Sequence, residues 1–398
     1  MKSVQRGGVR LLAGSVLGLA LIAGTPTFAG PLEDAFAAIE RRDYATAMRI
    51  LRPLAEQGEA NAQYNLGLFY TFGHGVDQNY AQAYDWFRRA ADQGDPGASY
   101  RLGVFHENGF GVAQDYAQAA RFYRFAAENG HVDAQNVLGL FYQNGRGVPE
   151  NFAEAARWYQ LAADRGDAIG QINLGLLYET GRGVTQDLER AAQLYRQAAD
   201  QGEPWAQAFL GKFFAEGLGV EQDYEQASQW FRRSADQGNA SAQFYLGRLY
   251  GNGQGVPFDH TQAARWYRLA AEQDHDQAQY SLANLYFQGS GVDRDYAQAA
   301  SWWTRSASQG GQGAYNLGGL YAEGGYGVQR NYAEAARWYL VSAEEGGQWS
   351  QLELARLYAQ GGYGLEADIR EAVRWWQASA RQGNESAQNA LRERGETW

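Results

Sequence analysis

The chain has 398 residues, no cysteine, 34 basic against 45 acidic side chains and a net charge of −11. An acidic chain without a basic tract is a poor match for nucleic acid or an anionic membrane surface. The absence of cysteine excludes disulfides, thiolate nucleophiles and thiolate zinc sites.

Residues 1–29 read as an export leader. Lys2, Arg6 and Arg10 precede an apolar run from Leu11 to Ala23, which is too short to span a bilayer as a helix. Small residues Thr27 and Ala29 are placed for cleavage before Gly30. The expectation is an exported protein, periplasmic first and secreted as the alternative. Lys212 is the only lysine beyond the leader.

Residues 30–59 read as a shortened helix pair that closes the N-terminal end, because Asp43-Tyr44-Ala45 anticipates Asn79-Tyr80-Ala81. From there the chain repeats. Ala62 to Tyr70 (Ala-Gln-Tyr-Asn-Leu-Gly-Leu-Phe-Tyr) recurs from Ala98, Ala134, Gly170, Ala206, Ala242 and Ala278, a period of 36 residues. Two further copies follow around Leu317-Gly318 and Leu354-Ala355. Each copy is a leading helix running into a Gly-x-Gly-Val turn such as Gly73-His74-Gly75-Val76, lengthened by one residue at Gly324–Val328 and Gly361–Leu365.

An Asp or Asn follows every turn: Asn79, Asp115, Asn151, Asp187, Asp223, Asp259, Asp295, Asn331 and Asp368. Gln or Glu stands three residues later in all copies but one, where Arg190 stands. The spacing predicts a capping box that opens a trailing helix. That helix carries an aromatic or apolar pair such as Trp86-Phe87 or Trp158-Tyr159 and ends on glycine at Gly94, Gly130, Gly166, Gly202 and Gly238, with Asp274 as substitute once. So small a helix pair cannot bury its apolar face alone, so neighbouring copies must share a core. Residues 60–384 hold nine copies, and 385–398 form a capping helix and tail that turns polar at Arg392-Glu393-Arg394.

The Leu-Gly-x-x-Tyr core, the Gly-x-Gly-Val turn, the Asp/Asn-Tyr start and the Trp-Tyr-x-x-Ala-Ala run together resemble the Sel-one-like repeat (SLR) family, a branch of the tetratricopeptide-like helical solenoids. The resemblance covers about residues 31–395. It implies an all-α fold, a right-handed superhelical α-solenoid of helix-turn-helix repeats, and adaptor or scaffold roles in assembling other proteins, often in bacterial envelopes. Some members carry a disulfide in each repeat and have been called β-lactamase-like; this cysteine-free chain departs from them.

On a helical wheel, Ala62, Leu66 and Tyr70 share one face of the leading helix, while Tyr64, Leu68 and Thr71 point away. The third and seventh positions vary between copies where the core positions do not. If the leading helices line the concave side, as the resemblance implies, the groove surface includes Tyr64, Tyr100, Lys212, Phe244, Arg248, Tyr280, Asn284, Tyr315 and Arg356. An apolar stretch through Leu68–Leu176 is followed by a polar, partly cationic one around Lys212 and Arg248. Aromatic and Arg anchors are the residues that dominate interfaces. The outer face of the trailing helix is polar, as at Asp85, Arg121, Arg157 and Arg265, with four-residue Arg–acid pairs such as Arg88–Asp92, Arg232–Asp236 and Arg268–Glu272.

No enzyme chemistry is written here. The Gly-x-Gly-Val turns follow helices, lack a lysine and recur nine times, so they are turns and not phosphate loops. His74, His106, His131, His260 and His275 lack the spacing of a helical metal site. The expectation is a non-catalytic exported adaptor with no cofactor and no metal, holding a protein or extended peptide segment of the cell envelope. Alternatives are a polysaccharide-binding envelope scaffold, a secreted factor that binds a host protein, and an enzyme acting on peptidoglycan or β-lactams.

Overall fold

A computed structural model describes residues 30–310, 312–325 and 327–398; the expected leader, and Tyr326 in the eighth turn, lie outside them. The described residues hold 21 α-helices and, apart from isolated bridges Gly325↔Val328 and Gly362↔Leu365 in the two lengthened turns, no β pairing. The chain is an α-solenoid of paired helices. It divides into two compact units, residues 30–131 and 132–398, and the division falls between two repeats.

The first unit opens with helices Pro31–Glu40 and Tyr44–Glu56, whose Ala35, Ala38, Ile39 and Leu51 are buried with Leu66 and Phe69 of the first repeat. Two repeats follow, with leading helices Ala60–Phe72 and Pro96–Asn108 and trailing helices Tyr80–Ala91 and Tyr116–Glu128. The second unit holds seven repeats, from the leading helix Val132–Asn144 to the trailing helix Ile369–Arg381. Its last helix, Glu385–Arg392, buries Ala387 and Leu391 and leaves residues 392–398 exposed.

Each repeat closes on two contacts that demand specific residues. The helix glycine of the Leu-Gly pair lies against the second aromatic of the trailing helix. A Cβ at Gly67 would stand 2.5 Å from the Phe87 ring, and one at Gly139 2.5 Å from Tyr159. In the two repeats with alanine at this site, Ala283 and Ala355, the aromatic 20 or 21 residues on is Trp303 or Trp376. The turn glycines serve differently. In the sixth repeat Gly253 caps the leading helix in the left-handed region (φ 66°), and a Cβ at Gly255 would overlap the Tyr224 backbone of the preceding trailing helix.

Buried polar side chains tie successive helices together. Gln243 Nε2 donates to the Ala235 carbonyl (3.2 Å), while its Oε1 accepts from Gln273 (2.9 Å). The same pair of bonds recurs at Gln63, Gln207, Gln279 and Gln351, so these buried amides are satisfied.

Two expectations need correction. The Asp/Asn residues do cap their helices, as Asp115 accepts from Gln118 N at 3.0 Å, but the box is only half made. The backbone N–H of each cap already donates to the preceding leading helix (Asp115 to His106 O, 2.9 Å; Asp187 to Tyr178 O, 3.0 Å), so the third residue has no donor to reach back to. Arg190 is tolerated for that reason. Of the four-residue Arg–acid pairs, Arg88–Asp92 forms at 3.2 Å. Arg232 and Arg268 instead donate to Tyr250 and Tyr286 hydroxyls on the next leading helix (2.5 and 2.7 Å). The Arg-first order gains little from the helix dipole, and the tyrosine lies closer to the core. Elsewhere on this outer face Arg157, Arg337 and Arg374 each pair with a Glu three residues earlier and cover an adjacent Trp at 5.1 Å. The left-handed role expected of Asp274 is present (φ 61°).

Candidate functional site on the leading-helix face

On the outer face of the trailing helices Asp85, Arg121, Arg157 and Arg265 are all exposed, and Phe125, Leu161 and Leu269 are exposed one turn beyond the three arginines. The free face of the leading helices does not repeat, and each unit is described separately.

In the first unit Tyr64 is half-buried, tilted against Phe87 (5.7 Å), and its hydroxyl accepts from Arg101 Nε at 3.4 Å. Tyr100 stacks on His131 with centroids 4.6 Å apart. His106 lies against Phe122 and shares a 3.2 Å hydrogen bond with Tyr84, a packing role. Burial pushes its imidazole below the ordinary value.

In the second unit the leading helices Ala168–Thr180, Pro204–Glu216 and Ala240–Asn252 set Ile172, Leu176, Phe209, Lys212, Tyr245 and Arg248 on the free face, all half-buried. Lys212 Nζ is 3.3 Å from Glu179 Oε1, and Glu179 also accepts from Tyr195 OH at 2.8 Å. Burial opposes the charge on Lys212, but Glu179 and Glu216 outweigh it and raise its pKa. Burial, with Glu179 beside it, holds the Tyr195 phenol protonated well above its ordinary range. Arg248 lies 4.8 Å over the Tyr245 ring, which itself stacks on Phe231 at 5.1 Å. The aromatic platform is therefore braced from the core.

Phe244, expected on this face, is instead 8% exposed, stacked on His275 and tilted against Tyr267. Its neighbour Tyr245 takes the free position. Tyr280 accepts from Asn316 Nδ2 (3.4 Å), and Asn284 Oδ1 accepts from Trp303 Nε1 and Asn316 Nδ2 (3.1 and 3.2 Å). Tyr315 is 41% exposed beside Tyr339, and Arg356 pairs with Glu353 at 2.6 Å. Sequence reasoning missed Phe209, Tyr245, Asn316 and Glu353. All stand three residues before the seventh position, hence on its face, and that spacing from Lys212 and Arg248 was the available signal.

Among the described residues no group of three or more His, Asp or Glu side chains could hold a metal ion, and no helix is long and apolar enough to cross a membrane.

A family model described as Sel1 repeat matches nine stretches, residues 60–95, 96–131, 132–167, 168–203, 206–239, 240–275, 276–311, 311–347 and 350–384. Among solved structures, the chain is similar to c5321, a protective antigen present in uropathogenic Escherichia coli strains and displaying an SLR fold. The TM-score is 0.78 at 37% identity, over 90% of this chain and 77% of that one. It is also similar to a Sel1 repeat protein from Oxalobacter formigenes, with TM-score 0.55 and 32% identity over 61% of this chain and 97% of that one. No curated protein matches significantly.

Proposed function

Because the chain belongs to the Sel1 repeat family, helical scaffolds typical of protein–protein interaction, we propose that it is a non-catalytic adaptor that holds an extended segment of another protein. The segment lies along the leading helices of residues 168–252. One observation carries this reading: the non-repeating free face there presents Leu176, Phe209 and Tyr245 beside Lys212 and Arg248, with Arg248 lying over the core-braced Tyr245 ring. Rigid aromatic and Arg groups, already packed in place, lose little freedom on binding and serve as anchors. A preformed row of helices can receive an extended chain with its ordering cost confined to the partner.

The proposal includes export to the cell envelope, periplasmic in the first instance. The leader-like residues 1–29 support it. The test is in-cell photo-crosslinking from position 245, with position 265 on the outer face as control, followed by mass spectrometry. A discrete protein adduct from position 245 alone supports the adaptor reading and identifies the partner. Adducts from position 265 alone move the binding face to the trailing helices and defeat the assignment. Recovery of the chain in the cytoplasmic fraction, with an intact leader, defeats the export part.

A further inference from the structure

The eighth repeat departs from its neighbours at the start of its leading helix. That helix, Gly313–Glu323, has 11 residues where the helices Ala240–Asn252 and Asp276–Gln288 have 13. Those two begin on side-chain caps, Asn239 and His275; here Gln312 occupies the cap position and makes no side-chain capping bond. Beside this shortened start lies a cavity of about 280 Å³, bounded by Tyr280, Gln312, Tyr315, Asn316, Ser342 and Glu345.

We propose that this cavity is a glycan-binding subsite that accepts one neutral pyranose ring. A pyranose has an apolar C–H face and a rim of hydroxyls. The cavity offers two tyrosine rings, with Tyr315 41% exposed, and a rim of amide, hydroxyl and carboxylate groups. The rim is held in place. Asn316 is fixed through Nδ2 by Tyr280 OH and Asn284 Oδ1, so its Oδ1 can accept, and Ser342 is tied to Ser350 at 2.6 Å. Charge sets the neutral preference: Glu345 is the charged side chain that lines the cavity. An anionic sugar would meet that carboxylate. Its volume suits a ring, and its lining shares no residue with the Phe209–Arg248 face, so this site stands apart from the adaptor reading.

The test is saturation-transfer NMR with titration, using maltotetraose, cellotetraose and chitotetraose as neutral probes and tetragalacturonate as the anionic one. At least one neutral tetrasaccharide should bind saturably. Tyr315→Ala should weaken it about tenfold, equal to about 1.4 kcal/mol. Glu345→Gln, which changes only the exposed rim, should weaken it severalfold, and Tyr245→Ala should leave it unchanged. Failure of all three neutral probes to bind overturns the proposal. So does binding that survives both cavity variants, or tetragalacturonate binding as tightly as the neutral sugars.

Discussion

Adjacent glycines in the leading helix of the eighth repeat should respond to the same substitution with opposite signs. Gly318 faces the buried ring of Tyr339, where an added Cβ would stand 2.6 Å from Cε1 and 2.7 Å from Cγ. Gly319 faces outward, and an added Cβ would meet only the Tyr339 hydroxyl at 3.5 Å, an ordinary contact. Alanine favours a helix interior over glycine by about 1 kcal/mol, a gain common to both positions. At Gly318 it is opposed by overpacking, which costs about 1–3 kcal/mol when a core ring cannot move aside. Tyr339 is 5% exposed and wedged between helices, so it has little room to yield. Gly319→Ala should therefore stabilise the region by up to about 1 kcal/mol, and Gly318→Ala should fall below it by the steric term of about 1–3 kcal/mol. Repeat arrays need not unfold in one step, so the measurement is native-state hydrogen exchange of amides in Gly313–Glu323 and Tyr332–Glu344. Equal protection in the two variants would refute the claim that the aromatic ring, and not turn geometry, keeps this position glycine.

Further outcomes are open to measurement. Asp115→Ala should cost about 1 kcal/mol through loss of the helix cap, whereas Gln118→Ala should change stability by less than about 0.5 kcal/mol, because the cap's N–H is already bonded to His106 O; urea melts of the two variants compare them directly. His275 caps the helix Asp276–Gln288 by accepting from Ala278 N at Nδ1 (3.3 Å), a role open only to the neutral ring. Burial depresses its pKa from the ordinary 6.5, against the opposing pull of Asp276. Its contribution is therefore whole above about pH 6.5 and lost as pH falls through 6.5 toward the folded-state value. His275→Asn, which keeps a cap, should flatten that pH dependence in exchange protection of the same helix. Lys212→Met should cost no more than about 1 kcal/mol of stability, since the ion pair is partly exposed, yet should reduce the crosslinking yield from position 245; an unchanged yield would remove Lys212 from the binding face.

Local chemistry made much of this molecule legible. The period, the Asp/Asn caps and the glycine turns each depend on a few consecutive residues, and 36-residue recurrence multiplies the signal. The half-made capping box was not legible, because the bond that replaces it runs from Asp115 N to His106 O across a turn whose closure no propensity encodes. Nor was the exchange between Phe244 and Tyr245. A wheel places Phe244 nearly opposite Leu246 and Tyr245 to one side of it, yet His275 and Tyr267 of the following helices cover Phe244 and leave Tyr245 half-buried.

The sequence by itself determined that this protein is an array of helix pairs and which helix face carries the variable residues, since both follow from spacing within one repeat. Only the tertiary structure decided which variable residues remain accessible and that a cavity lies between Tyr280 and the shortened helix at Gly313. Those outcomes depend on contacts between residues about one repeat apart, whose geometry is fixed by packing and not by the identity of either residue alone.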